Sequence, residues 1–431
     1  MAEKKRFTRE KIAPGVHFNT IFDDRFKTSR ILIAMSSDIE EDKAAAITSL
    51  AGLLVHSTGK YPTFLELSRK LDSLYGMNIS GSSGKHGENQ MLYLSASGIN
   101  DRYSLDGESV YEEMAKLLCG VLFDPNVRDG EFAPDDFKQE KRQLLDAIDA
   151  QFNDKRAYAK KRFLETMCSE EKYGVNLCGT KESVEALTSK MVYEQYRELV
   201  KTAKTEILCL CSNDTENVKR IFTENFEKVE RDVKENETLV VRCAEDVTEK
   251  TDVEDVVQSK LMLGFRTDCA EPEEDVDAMK LMCTVLGGTA HSKLFNNVRE
   301  KQSLCYYCVS GVDSTKGIMT VESGVEKENI EKTKAAILKE VEDMKNGVIT
   351  EEEIESAKLS LANACITSTD LSSGTQSWYL TQILKGTCYT PEEQAQRYSA
   401  ITKDEIVRAA KKLTLDTVYV LTGSGEDGEG E

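Results

Sequence analysis

Two side chains in the second half of the sequence have the types and the spacing to hold a peptide. Arg299 lies in an amphipathic run that predicts a helix, and Tyr306 follows seven residues later in a strand-like run. A guanidinium group offers a planar fork of donors and a tyrosine hydroxyl sits on a rigid ring, so both suit a peptide carbonyl or a developing oxyanion. The structural alternative is an ion pair of Arg299 within its own domain and ordinary β-sheet packing of Tyr306. The residues alone leave both open.

Histidine is too sparse for a helical zinc-peptidase motif. In H-x-x-E-H, two histidines four residues apart lie on one helix face and bind zinc, while the Glu between them activates water. The chain has His17, His56, His86 and His291, and no two lie within 29 residues of one another. We therefore predict no metal site, no cofactor and no catalytic residue. His56 is predicted as a cation at a helix C-terminus, with a lone metal ligand as the alternative, and His291 as a helix cap or an exposed side chain.

The cysteine pattern favours free thiols in a reducing compartment. Several of the twelve cysteines sit among apolar neighbours, as in the run ILCLC at 207–211, and free cysteine is readily buried. Cys305 and Cys308 form a C-x-x-C pair, but residues three apart on a strand point to opposite faces. We therefore do not predict a redox role for this pair, and no second pair exists to complete a structural zinc site.

Length and charge limit the classes of function. A chain of 431 residues suits two domains. Its 56 basic and 76 acidic residues give a net charge of −20, which argues against binding nucleic acid or an anionic membrane. We find no apolar run long enough to span a bilayer, and the charged N-terminus lacks the apolar stretch of a signal peptide. A cytoplasmic protein is the expectation.

Both halves of the sequence repeat one order of elements: strand, helix, hairpin, long helices, strand, helix. This order predicts an α+β fold, in which each half forms an antiparallel-rich sheet with helices packed on one face. We expect a first half at 1–228, a linker at 229–251 that includes a short strand at 239–242, a second half at 252–425 and a disordered acidic tail at 426–431. Capping boxes are predicted where Thr63 precedes Glu66 and Thr350 precedes Glu353 by three residues. The predicted helices are 43–56, 63–75, 106–122, 134–151, 155–168, 189–200, 218–226, 275–286, 292–301, 327–345, 350–365, 372–385 and 403–412.

The stretch 286–310, LGGTAHSKLFNNVREKQSLCYYCVS, resembles the block "GG…S.LF..vRe...L.Y" in the second half of the M16 (pitrilysin/insulinase-like) zinc peptidases. The resemblance covers essentially 10–425, with departures at Gln302 and Cys305. It implies two tandem homologous halves of the LuxS/MPP-like type. It also implies that Arg299 and Tyr306 reach across a chamber and hold the substrate backbone in the zinc site.

The same resemblance shows where the zinc motif would stand. Residues 47–62 match the motif helix and the turn after it, which places the ligand positions near Thr48, Ala51 and Gly52. The run from Glu140 matches the later helix, where the third ligand would fall at Ala147; the adjacent Asp146 is about 100° round the helix. Every catalytic position is lost together, which implies a pseudo-peptidase.

The resemblance is to the zinc-less subunits of short bacterial M16 proteins, some of which are associated with elongation factor P modification. It implies a non-catalytic subunit that binds peptide and completes the site of a zinc-bearing paralogue, as a heterodimer. The alternative is a peptide- or protein-binding scaffold, linked to elongation factor P modification, with no role in proteolysis. A third hypothesis, an active peptidase with unorthodox metal ligation, requires stoichiometric zinc in the purified chain.

Overall fold

The computed structural model describes residues 7–424, which divide into two compact units. The first unit comprises the described residues up to Ala150, then Val175–Glu237 and Asp370–Thr381. The second comprises Gln151–Gly174, Thr238–Thr369 and the described residues from Gln382 onwards. The predicted acidic tail at 426–431 lies outside the described residues, and the predicted boundaries of the homologous halves stay predictions.

Strands and helices occur throughout the described chain. The strands are β1 (Phe7–Ala13), β2 (Val16–Phe22), β3 (Thr28–Asp38), β4 (Asn78–His86), β5 (Asn89–Ile99), β6 (Val127–Arg128), β7 (Glu131–Phe132), β8 (Lys204–Cys211), β9 (Thr248–Val253), β10 (Ser259–Arg266), β11 (Cys305–Asp313), β12 (Ile318–Val325) and β13 (Thr414–Thr422). The α-helices are α1 (Glu41–His56), α2 (Phe64–Ser73), α3 (Val110–Phe123), α4 (Pro134–Asn153), α5 (Lys155–Met167), α6 (Lys181–Ala186), α7 (Ser189–Thr202), α8 (Glu216–Phe226), α9 (Val276–Cys283), α10 (Ile330–Lys345), α11 (Glu351–Thr367), α12 (Ser372–Leu384), α13 (Pro391–Ala400) and α14 (Lys403–Lys411). Two stretches, Thr284–Gly288 and Leu294–Lys301, are π-helical.

The first unit is built on a six-stranded sheet in the order β1-β2-β8-β3-β5-β4. Only β2 and β8 pair in parallel among its neighbours; the other pairs are antiparallel. The central strand β3 carries the continuous apolar run 31–35, which is buried throughout, because a strand with both faces covered does not need to alternate apolar and polar residues. Helices α1, α3 and α7 supply the apolar side chains that form a core with this sheet.

The second unit is built on a five-stranded sheet in the order β11-β12-β10-β13-β9. Strand β9 pairs in parallel with β13, and the other pairs are antiparallel. Helix α5 packs on this sheet through Phe163 and Met167, which share a buried cluster with Met262 and Tyr419. Strand β11 is at one edge of this sheet, and among the described residues it pairs only with β12.

A buried ion cluster holds the segment after α5 in the second unit. Arg266 is 3% exposed and places its guanidinium 2.7 Å from Glu171 and 2.8 Å from Asp416, while Lys316, fully buried, also pairs with Glu171. Burial raises the pKa of Glu171, but the hydrogen bonds from Arg266 and Lys316 outweigh it and lower that pKa overall. Because the partners are mutually satisfied, removal of one would leave charges buried without compensation.

The predicted α+β fold class is confirmed, with differences in individual elements. Thr63 and Thr350 cap their helices as expected, and Thr350 forms the full reciprocal box with Glu353. The strand predicted at 239–242 is wrong, because the described chain has no regular structure there and its strand is β9 instead. None of the helices between residues 7 and 424 is both long and apolar enough to cross a membrane.

Candidate functional site

The region that matches the zinc motif lies between α1 and α4 in the first unit. Thr48 donates a hydrogen bond to the Leu177 carbonyl (2.7 Å) and accepts one from the Gln90 amide (3.0 Å), so its side chain serves the structure. Ala51 is buried and offers no donor atom. These side chains do not fit a zinc ion.

A carboxylate from α4 fills the space over Gly52. A Cβ added to Gly52 would lie 2.0 Å from Oε2 of Glu140, so a larger residue at this position would displace that carboxylate. Among the described residues no group donates a hydrogen bond to Glu140, and burial raises its pKa from 4.5 to about 7. Ala147, at the expected position of the third ligand, is exposed, and its neighbour Asp146 lies 3.6 Å from Arg142 at the surface.

The carboxyl group of Glu140 therefore lies where the resemblance would place a zinc ion with three protein ligands. Within residues 7–424 no group of three or more His, Cys, Asp and Glu side chains is arranged to hold a metal ion. The position of His56 agrees with this, since it ends α1 with Nδ1 3.1 Å from Asp136 and its ring stacked on Phe64. A partly buried His beside one carboxylate and one aromatic ring fits the structural interpretation, a side chain at a helix C-terminus, rather than a metal ligand.

The π-helical stretch Leu294–Lys301 in the second unit positions Arg299. Leu294 and Val298 are completely buried on its inner face, and Asn297 donates a hydrogen bond to Glu340 of α10 (2.9 Å). Before it, Gly287 lies against β11 so closely that a Cβ there would meet the Ser310 nitrogen at 2.7 Å. Glycine at 287 is therefore required for the segment before this stretch to pack on the edge strand.

The side chain of Arg299 lies at the outer side of this stretch. It is 40% exposed, its guanidinium carbon lies 4.6 Å from the centre of the Phe295 ring, and its Nε lies 3.6 Å from Glu300. The pairing with Glu300 is loose and solvent-screened, so it costs little to exchange for another acceptor. The predicted alternative, an ion pair within the domain, is thus present but weak. His291, which precedes this stretch, is exposed.

Tyr306 is the extra residue of a β-bulge at the start of β11. Cys305 pairs with Val325 and Tyr307 with Gly324, so Tyr306 has no partner position on β12. Its side chain is 56% exposed, so the predicted alternative of ordinary β-sheet packing does not describe it. The hydroxyl donates a hydrogen bond to Glu326, and this bond raises the pKa of Tyr306.

The same bulge changes the orientation of the C-x-x-C pair. Because one extra residue stands between them, Cys305 and Cys308 oppose Val325 and Ser323, which are two positions apart and therefore on one face of β12. The expectation that the two cysteines point to opposite faces is wrong. The period-two rule holds only for a regular strand, and nothing in the sequence marks Tyr306 as a bulge residue.

Two members of these regions were not found from the sequence. Glu140 was noted only as part of a matching helix, and its approach to Gly52 joins residues 88 positions apart, for which local sequence carries no signal. Glu326 follows β12 directly, and only the antiparallel pairing of β11 with β12 brings it to Tyr306.

Comparison with known proteins identifies the class. Residues 186–361 match a family profile described as "Peptidase M16 inactive domain". Two solved structures have the same fold: a conserved protein of Enterococcus faecalis V583, with a TM-score of 0.91 and 27% identity over 98% of this chain and 100% of that one, and a peptidase M16 inactive domain of Pseudomonas fluorescens, with a TM-score of 0.79 and 15% identity over 97% of this chain and 98% of that one. These matches agree with the resemblance: the chain is similar to proteins of the M16 family that are described as inactive.

One relative, which is also described as inactive, matches nearly the whole chain. The chain is 29% identical, over 410 residues, to the "Probable inactive metalloprotease YmfF" of Bacillus subtilis (strain 168), and the match covers 95% of this chain and 96% of the relative. The role of Arg299 and Tyr306 in binding is not tested by these matches and stays a prediction.

Proposed function

We propose that this pseudo-peptidase works in the cytoplasm as the non-catalytic subunit of an M16-type peptidase complex. It binds extended peptide through Arg299 and Tyr306 and completes the site of a zinc-bearing paralogue. The single observation that carries the proposal is that both side chains lie exposed beside the edge strand β11, at 40% and 56%, while the metal-ligand positions have been refilled by structural contacts.

The geometry of the edge strand suits an extended peptide. A strand with one free edge presents backbone N–H and C=O groups that can pair with an added strand. Tyr306 and Val309 are exposed on β11, at 56% and 39%, and so offer side-chain contacts to such a peptide. Arg299 adds a charged donor for a peptide carbonyl, which strengthens a hydrogen bond relative to a neutral donor.

Glu326 sets a condition on this binding. The Tyr306 hydroxyl donates its only proton to Glu326, so a peptide carbonyl must compete with that carboxylate for the same donor. A peptide that brings its own cation to Glu326 would relieve the competition. Basic or neutral peptides are therefore favoured over acidic ones, in agreement with the net charge of −20.

The test combines the purified chain with its zinc-bearing paralogue and measures peptide turnover. Replacement of Arg299 by Ala removes a charged hydrogen bond of about 1.5–3 kcal/mol and should lower kcat/KM about 10- to 100-fold. Tyr306→Phe removes a neutral one and should lower it about 3- to 10-fold. Matched controls are Arg408→Ala, on the 65%-exposed Arg408 of α14, and Tyr103→Phe, at a 44%-exposed tyrosine.

Unchanged turnover with Arg299→Ala would refute the proposed role. Two other results would favour the scaffold function instead: capture of peptide by this chain alone with no effect on the paralogue, or purification from cells without any H-x-x-E-H protein. A scaffold without part in proteolysis predicts both.

A further inference from the structure

The bulge at Tyr306 brings two cysteine thiols to one face of the second sheet. Cys305 and Cys308 oppose Val325 and Ser323 on β12. Two same-face positions on a strand lie about 6.6 Å apart at a rise of about 3.3 Å per residue, which is at the upper end of the Cα separation that a disulfide spans. The effect of Cys308 on the pKa of Cys305 agrees with this proximity.

The two thiols differ in access and in charge. Cys308 is 2% exposed, whereas Cys305 is only partly buried. The hydrogen bond from Cys308, a second one from Ser323 and the charge of Arg299 outweigh burial and lower the pKa of Cys305 to about 7. The same contact with Cys305, together with burial, raises the pKa of Cys308. An accessible thiolate beside a buried protonated thiol is the arrangement in which one sulfur reacts and the other resolves.

The remaining cysteines lack this arrangement. Burial raises the pKa of Cys119 and Cys168 to about 12 and that of Cys283 to about 11, so these core thiols are unreactive. Cys243 and Cys388 are exposed, yet neither has a thiol partner in the described structure, and burial raises the pKa of Cys388.

We propose that Cys305 and Cys308 are a redox modification site that hydrogen peroxide converts into a reversible intrachain disulfide beside Tyr306. The Cys305 thiolate attacks one peroxide oxygen, an S–O bond forms, the O–O bond breaks and the departing hydroxide takes a proton to become water. Cys308 then attacks the Cys305 sulfur, the S–S bond forms, the S–O bond breaks, and the oxygen leaves as a second water with the Cys308 proton. Two thiols lose two electrons, and one peroxide is reduced to two waters.

The disulfide would close a short loop around the bulge residue. Tyr306 lies between the two sulfurs in sequence, so the bond fixes the bulge and removes the thiolate that faces Arg299. Its effect on peptide binding rests on the proposed function. The modification itself does not, and it can be measured without peptide or partner.

The experiment uses full-length protein with Cys243→Ser and Cys388→Ser, which removes the two exposed thiols able to form intermolecular bonds. Folded protein is treated with stoichiometric hydrogen peroxide at pH 7.5, unfolded in a thiol-alkylating reagent and mapped by peptide mass spectrometry. We expect a Cys305–Cys308 disulfide that a dithiol reverses. Before oxidation, alkylation of Cys305 at pH 7 should be on the order of fivefold faster than that of Cys388 in the unsubstituted chain, because the gain in thiolate exceeds the loss of nucleophilicity.

The control variant is Cys308→Ala, whose retained melting temperature establishes folding. Without the resolving thiol, Cys305 should be trapped as sulfenic acid by a dimedone-type probe. The proposal is overturned if Cys305 stays reduced, or if it is oxidised to sulfinic acid without a disulfide in the protein that retains Cys308. If the protein forms the Cys305–Cys308 disulfide but binds no peptide, the proposed function fails and the redox proposal stands. If it binds peptide but forms no disulfide, the redox proposal fails and the proposed function stands.

Discussion

Replacement of Glu140 by Gln should stabilise the protein, and the stabilisation should grow as the pH rises from 4.5 to about 7. Glutamine has nearly the same shape and carries no charge, so it keeps the packing over Gly52 and removes the cost of ionising a buried carboxyl group. Burial raises the pKa of Glu140 from 4.5 to about 7. Between these two values the folded protein holds a proton that the unfolded chain has released, so the free energy of unfolding falls as the pH rises through this range and is fully reduced above pH 7.

The size of the effect follows from the difference between the two pKa values. A pKa that rises from 4.5 in the unfolded chain to about 7 in the folded protein corresponds to a loss of about 3 kcal/mol in the free energy of unfolding once Glu140 is ionised. Because Glu140 is partly exposed, solvent screening reduces this, and we expect about 1–2 kcal/mol. For the first unit that is a rise in melting temperature of about 2–6 °C at pH 8.

The assay is thermal unfolding of both proteins from pH 4 to pH 8. The two curves should nearly coincide at pH 4 and separate progressively up to about pH 7, while Glu185→Gln, at an exposed glutamate of α6, should leave the melting temperature unchanged at every pH. A difference independent of pH would refute the reasoning, as would a Glu140→Gln variant less stable than wild type at pH 8.

A second check is the substitution Gly52→Ala. In the Glu140→Ala variant it should stabilise α1 by about 1 kcal/mol, and in the protein that retains Glu140 it should stabilise α1 by clearly less.

Two further predictions concern stability in the second unit. Glu171→Gln leaves Arg266 and Lys316 with an uncompensated buried charge, so the second unit should lose about 3–5 kcal/mol in urea unfolding, and a loss below about 1 kcal/mol would contradict the ion cluster as described. Thr350→Ala removes the hydroxyl that accepts a hydrogen bond from the Glu353 N–H, and the loss should be about 1 kcal/mol, whereas Thr350→Ser should restore most of it; equal losses for the two variants would contradict a capping role.

The parts of the fold that the sequence predicted well are those determined by local patterns. The continuous apolar run of β3 is short and follows a polar turn, whereas the apolar stretches of α1 and α3 are longer than a typical strand, so length distinguishes the two element types. The caps at Thr63 and Thr350 depend on residues three positions apart. Such signals are complete within a few residues and do not depend on tertiary contacts.

The elements that the prediction missed fail for two different reasons. Strand β9 is a polar edge strand, TEKTDV, with alternating exposure and no buried residue, so its pairing with β13 leaves no apolar signature. The strand was predicted at 239–242 instead, because this preceding run begins with three apolar residues, although Leu239 is 56% exposed. Helix α13 did carry a readable signal, since Thr390, Pro391 and Glu393 form an N-terminal cap with proline in the first turn, and it was overlooked.

The candidate sites depended on contacts that no local pattern encodes. The β-bulge inserts one residue into β11 and reverses the facing of Cys305 relative to Cys308, so a rule based on regular pleating gave the opposite result. Glu140 reaches Gly52 from another helix. In both cases the chemistry depends on the exact neighbour of one side chain, and that neighbour is set by tertiary packing.

The energetics of the block around Arg299 distinguish the residues that folding requires from Arg299 and Tyr306. Leu294 and Val298 are fully buried, and Gly287 permits contact with β11, so folding accounts for these three. Arg299 and Tyr306 are 40% and 56% exposed, and their partners, Glu300 and Glu326, are exposed carboxylates, whose pairing adds little to stability. Folding therefore requires neither side chain. Their exposure beside the edge strand β11 is therefore what the proposed binding of a peptide rests on, and the Arg299→Ala and Tyr306→Phe variants should fold normally while they lose that binding.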